Sequence, residues 1–148
     1  GMPLPKDGYL KKVKELCEEN GSLLILDEVQ AGLGRTGKLW AFEHFDTIPD
    51  MVVLAKGLSG GIYPISATVI DKKLETVFHD DPFIHISTSG GSELGAVVSN
   101  KVLEITSEPE FLKRVNILSD LFQKELEKLQ RKHAGFFKGI RGKGLMMG

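Results

Sequence analysis

The chain has 148 residues, 41% of them hydrophobic and 26% charged, with a net charge of −1. That is the balance of a globular protein, not of a disordered or fibrous one, and a near-neutral chain lacks the basic face expected of a nucleic-acid binder. No apolar run approaches the roughly 18 residues of a membrane-spanning helix, and the start has no basic segment leading into an apolar signal core; the expectation is a cytoplasmic protein with no nucleic-acid or membrane partner.

Gly1 ahead of Met2 reads as the residue left by a cleaved expression tag and is set aside. Residues 7–20 predict a helix, with Asp7 as N-cap, Leu10, Val13, Leu16 and Cys17 at helical spacing, and Gly21 as the stop. Cys17 is the sole cysteine, so its expected role is packing within that helix. Leu23–Asp27 is an apolar run without alternation, the pattern of a strand covered on both faces. A glycine-rich loop follows at Gly32–Gly37, then a short segment whose Trp40, Phe42 and Phe45 are expected in the core.

Met51–Ala55 is a second buried strand, and Gly57, Gly60 and Gly61 allow a tight turn after Lys56. Tyr63–Ile70 predicts a third strand, with Pro64 confined to its beginning, and Asp71–His79 a short helix. After an irregular polar stretch over 80–92, Leu94, Val97, Val98, Val102 and Ile105 trace a helix face. A longer helix runs from Pro109 to about His133, where Glu127 and Arg131 are spaced to pair. Ile140–Gly148 reads as one strand just beginning. Strands alternating with helices make an α/β layer, and three strands with such long helices suggest a piece of a larger domain.

Asp27 and Lys56 each close an apolar strand. Two strands of one parallel sheet present both side chains at the same edge, outside the carboxyl ends where ligands of open α/β sheets bind. A Schiff-base lysine with an acidic partner for a pyridinium nitrogen is what pyridoxal phosphate requires.

Other motifs compete for these residues. Gly32, Gly34 and Gly37 satisfy G-x-G-x-x-G, but the dinucleotide fingerprint starts directly after a strand, and Asp27–Ala31 intervene. Gly32–Lys38 fits G-x-x-x-x-G-K, yet Leu39 stands where a hydroxyl for magnesium belongs. Leu23–Glu28 resembles a Walker B strand and Leu58–Gly61 an ABC-type signature loop, in the wrong order. His44, His79, His85 and His133 lack zinc-ligand spacing, so no metal is expected. Ser87, Ser89 and Ser92 lie near His85 without a G-x-S-x-G elbow.

Asp27-Glu28-Val29-Gln30-Ala31-Gly32, Gly34-Arg35-Thr36-Gly37, Pro49-Asp50, Ala55-Lys56-Gly57-Leu58-Ser59-Gly60-Gly61 and Tyr63-Pro64 occur in the order and spacing of one family. With His85–Gly91 and Arg141–Leu145, the chain resembles the class III pyridoxal-phosphate aminotransferases, the group of the ornithine, acetylornithine, 4-aminobutyrate and putrescine enzymes. The resemblance implies part of the large domain of a fold-type-I transferase, a mostly parallel sheet flanked by helices and incomplete at both ends. Its divisions would be 2–106 in the cofactor-binding domain, 107–138 a linking helix and 139–148 the start of the small domain.

On that resemblance Lys56 would bind pyridoxal 5′-phosphate as a Schiff base and carry a proton between substrate carbon and cofactor carbon. Asp27 would keep the pyridine nitrogen protonated, so the ring can take electrons from the substrate. Gln30 would hydrogen-bond the phenolic oxygen, Val29 would pack on the ring, and Thr88 would reach the cofactor phosphate of the neighbouring subunit in a homodimer. Glu28 is expected to be structural, and Arg35 to pair with a carboxylate in its turn. The reaction implied moves an amino group from an amino acid, ω-amino acid or diamine to a 2-oxo acid. Ser92-Glu93, Ser89 and Ala31 depart from the family's usual residues, and the phosphate loop, ring-stacking aromatic and carboxylate-binding arginine have no counterpart here, so this chain alone is expected to be inactive. A silent α/β interaction module and a nucleotide-binding protein using Gly32–Gly37 remain as alternatives.

Overall fold

The structure, a computed structural model, describes residues 3–81 and 83–148. Helix α1 spans Tyr9–Glu19. Its cap is not Asp7, as the sequence predicts, but Gly8, which sits at φ 77°, a region that glycine enters without the steric cost of a Cβ. Gly21, at φ 62°, turns the chain out of the helix as expected. Cys17 is half-buried in it.

Strand β1 (Ile25–Asp27) pairs in parallel with β2 (Met51–Leu54), placing Asp27 opposite Val53. Strand β3 (Ala67–Ile70) pairs with the other side of β2, antiparallel, with Leu54 opposite Ala67. The parallel arrangement predicted for the first two strands is therefore present, while the third reverses. Between β2 and β3 a 3₁₀ turn at Lys56–Ser59 and the left-handed Gly60 and Gly61 bend the chain back, so β3 begins at Ala67, later than the sequence suggests.

The unbroken apolar runs predict strands covered on both faces, yet among the described residues Leu54 is the one buried strand residue and Ile25 is 54% exposed. Few elements of this chain are available to cover the sheet. Helix α3 (Glu93–Ser107) packs on the Lys56–Ser59 turn and on α4 (Pro109–Lys132), and the short helix predicted over 71–79 divides into a 3₁₀ turn, Lys72–Leu74, and α2, Val77–Asp80. Pro109 opens α4, where its missing N–H costs nothing. Glu127 accepts a hydrogen bond from Gln123 at 2.8 Å, in place of the expected pairing with Arg131. The tail is a hairpin, not a single strand: β4 (Gly142–Lys143) pairs antiparallel with β5 (Met146–Met147). No helix among the described residues is long and apolar enough to cross a membrane.

One buried carboxylate ties the sheet together. Asp50, 3% exposed, accepts from the Lys14 ammonium at 2.7 Å, from Leu24 N–H at 2.9 Å and from the Lys73 ammonium. It thereby joins α1, the entry to β1 and the segment after β3. The Lys14 hydrogen bond, then those of Lys73 and Leu24, hold its carboxyl far below the ordinary range. A buried charge is tolerated only when so satisfied.

Candidate active site

Because β1 and β2 run parallel and in register, both strands end at one edge, and the chain delivers Asp27 and then Lys56 there. Asp27 is exposed, and its Oδ1 accepts a hydrogen bond from Val29 N–H at 2.9 Å. This local bond turns the chain sharply out of the strand and swings Val29 and Gln30 beside Lys56. Lys56 adopts φ 47° at the head of its 3₁₀ turn. A positive φ is uncommon outside glycine, and such strain concentrates where a fold over-determines a functional position.

Val29, Gln30, Arg35, Lys56, Phe111 and Met147 are among the residues lining a cavity of about 610 Å³, within the size range of small-molecule sites. Three of the five cofactor residues named from sequence thus share one cavity. Asp27 lines a neighbouring, more apolar cavity of about 260 Å³ instead, together with Leu26, Glu28 and His44. Thr88 lies on an exposed turn and is not among the residues lining the Lys56 cavity. Arg35 is exposed and lines the Lys56 cavity; among the described residues no carboxylate pairs with it in the turn.

Glu28, next to Asp27, is 5% exposed and accepts from Ala41 N–H at 3.0 Å and Phe42 N–H at 2.9 Å. It caps the 3₁₀ turn Ala41–Phe45, the structural role expected of it. Burial pushes its carboxyl up, and the two N–H donors oppose that. In the same region His44 Nε2 lies 3.1 Å from both Thr36 O and Thr36 Oγ1, and burial, reinforced by the Lys143 ammonium, lowers its imidazole below the ordinary value. Trp40, Phe42 and Phe45 are half-buried around this turn and do not form a sealed core.

The glycine loop is packed against protein. A Cβ on Gly32 would lie 2.9 Å from Glu28 O, and one on Gly34 would lie 2.9 Å from Phe111 Cε1. At Gly37 it would collide with Asn116. These glycines serve close approach of helix α4 and Trp40, which removes the main support for a phosphate cradle. The sequence assigns no role to two residues that the fold makes structural. Asn116 falls four residues after Leu112 on the apolar stripe of α4, and Asp50 follows a proline just before a buried strand; an amide or carboxylate in such a place is the signal that could have found them.

The parallel strand pair, the edge lysine and the flanking helices form an α/β piece that superposes on solved aminotransferase structures of fold type I. The chain belongs to the class-III aminotransferase family, whose profile matches residues 1–148. It is 51% identical over its full length to an uncharacterized aminotransferase of Archaeoglobus fulgidus, covering 35% of that relative. It is 40% identical to the ornithine aminotransferase of Macrococcus caseolyticus, again over its full length and 36% of the relative. Among solved structures, the taurine:2-oxoglutarate aminotransferase of Bifidobacterium kashiwanohense, in complex with PLP and glutamate, superposes with a TM-score of 0.89 at 33% identity, over 97% of this chain and 32% of the other. The chain spans about a third of the length of the relatives it matches.

Proposed function

We propose that the protein takes part in pyridoxal-phosphate-dependent transamination, in which an amino acid, ω-amino acid or diamine gives its amino group to a 2-oxo acid. The observation that carries this reading is the position of Lys56: a left-handed residue at the carboxyl edge of β2, in one cavity with Val29 and Gln30 and one strand away from Asp27. The donor set supports that reading. It offers one amine to hold an aldehyde, one amide for a phenolic oxygen, an aliphatic surface for a ring, and a carboxylate at the adjacent strand end.

In this reading the Lys56 amine would hold the cofactor covalently and then move a proton at the substrate carbon. Asp27 would accept the hydrogen bond of the protonated ring nitrogen, Gln30 would orient the phenolic oxygen and Val29 would support the ring face. When bound, the cofactor supplies an electron sink for the substrate carbon. Thr88 would bind the phosphate of a partner subunit, and the same reading has the protein act as a cytoplasmic homodimer. We also propose residues 2–106 as large-domain chain, 107–138 as the link and 139–148 as the start of the small domain; α4 occupies Pro109–Lys132 of that link.

The test is chemical. The chain is incubated with pyridoxal phosphate, reduced with borohydride and digested, and the pyridoxyl-lysines are mapped by mass spectrometry. Label concentrated on Lys56 supports a surviving site; label spread evenly over surface lysines refutes a cofactor site in this chain and leaves ancestry alone, with an α/β interaction module as its role.

A further inference from the structure

We infer that Asn116, on helix α4, is a positioning residue for the Lys56 cavity, because it anchors the glycine loop that forms one wall. Its Nδ2 donates to Gly37 O at 3.0 Å across 79 residues of sequence, and to Leu112 O of its own helix at 2.9 Å. Both amide protons are thus used, and the side chain is fixed to the helix while it grips the loop.

The grip is steric as well as polar. Asn116 occupies the space a Cβ on Gly37 would need, and Phe111 and Leu112 fill the corresponding space at Gly34. Gly34 and Gly37 adopt φ 84° and 91°, backbone states that would leave an unanchored loop free to rearrange. From the other side Leu145 N–H donates to Arg35 O at 2.9 Å, and His44 holds Thr36. The same stretch of chain supplies Val29, Gln30, Leu33 and Arg35 to the cavity, and Phe111 joins them from α4. A site is only as precise as the shell that supports it. Asn116 does not contact the cavity in its own right and acts through the loop.

The link from loop to cofactor rests on the proposed role of Lys56, and two readouts separate the claims. Amide hydrogen exchange is compared for the parent chain, Asn116→Asp and the milder Asn116→Ser, which covers the case in which the aspartate variant fails to fold. Loss of one hydrogen bond should speed exchange across residues 29–37 about fivefold, with the strands over 51–70 unchanged. In parallel, pyridoxal phosphate and borohydride labelling of Lys56, relative to the surface Lys124, should fall by a similar factor. Exchange that is unaltered, or raised equally through 51–70, overturns the inference. Faster loop exchange with undiminished Lys56 selectivity overturns it too, since the loop would then not set the wall. If the parent chain never labels Lys56 selectively, the reading of the site fails, and the anchoring of the loop stands or falls on exchange alone.

Discussion

Asp27 and Lys56 leave neighbouring parallel strands at one edge of the sheet, yet they line different cavities. The Asp27 carboxylate bonds its own turn through Val29 N–H, whereas Lys56 faces the cavity walled by Gln30 and Arg35. The two residues are therefore separable by mutation. Asn at position 27 can still accept the Val29 bond, so Asp27→Asn should change stability by no more than about 0.5 kcal/mol. It removes the charge proposed to sit against the ring nitrogen, and the absorption spectrum of any Lys56-bound cofactor should shift. Lys56→Ala should abolish selective labelling altogether. A spectrum identical in parent and Asp27→Asn would show that this carboxylate does not touch the ring.

The glycines give a graded series. Gly21 is left-handed at φ 62° with open space around it, so Gly21→Ala should cost only the backbone strain, about 1 kcal/mol. Gly34→Ala and Gly37→Ala add collisions with Phe111 and Asn116 and should cost about 2–4 kcal/mol. Urea unfolding of the three variants measures the difference. Equal costs at all three positions would mean that α4 does not press on the loop.

Asp50 predicts an acid-sensitive fold. Its carboxyl is depressed by Lys14, Lys73 and Leu24 N–H, so the folded state favours the ionised form. The stability this contributes is complete above the unfolded value of about 4 and is lost as pH falls from there towards the depressed folded value. Asp50→Ala, which strands the Leu24 N–H and removes the partner of both lysines, should cost about 2–3 kcal/mol at neutral pH and flatten the acid limb. Thermal unfolding between pH 2 and 7 reads both effects.

His44 acts in a higher window. Burial and the Lys143 ammonium depress its imidazole, so folding favours the neutral ring. Its contribution is present above the unfolded value of about 6.5 and declines as pH falls below it. Lys143→Gln should move the His44 titration upward, followed by NMR, because one of the two main depressing causes is gone. No movement would place Lys143 too far from the ring to matter.

Much of the architecture is legible in the sequence. The helices over 93–107 and 109–132 follow from apolar residues at helical spacing, and the β1–β2 edge follows from two apolar runs that each end on a charge. Local periodicity carries this information because it reports which face of an element is apolar. The same periodicity could not show that β3 runs antiparallel, that Gly8 replaces Asp7 as the cap, or that the tail doubles into a hairpin. Each of those depends on backbone angles at single glycines and on contacts with distant chain. Continuous apolar runs also overstated burial, since composition records that a strand is apolar and not which distant segments pack on it, and Ile25 and Val69 stay exposed.

By itself, then, the sequence determined the family, the strand-end placement of Asp27 and Lys56, and the order of the elements, because motif spacing and periodicity are properties of neighbouring residues. Tertiary structure alone decided that Val29, Gln30 and Lys56 share one cavity while Asp27 lines another, and that the glycine loop receives Phe111 and Asn116 in place of a phosphate. Those outcomes arise from packing between segments as distant as Gly37 and Asn116, and steric complementarity across such distances leaves no local pattern to read.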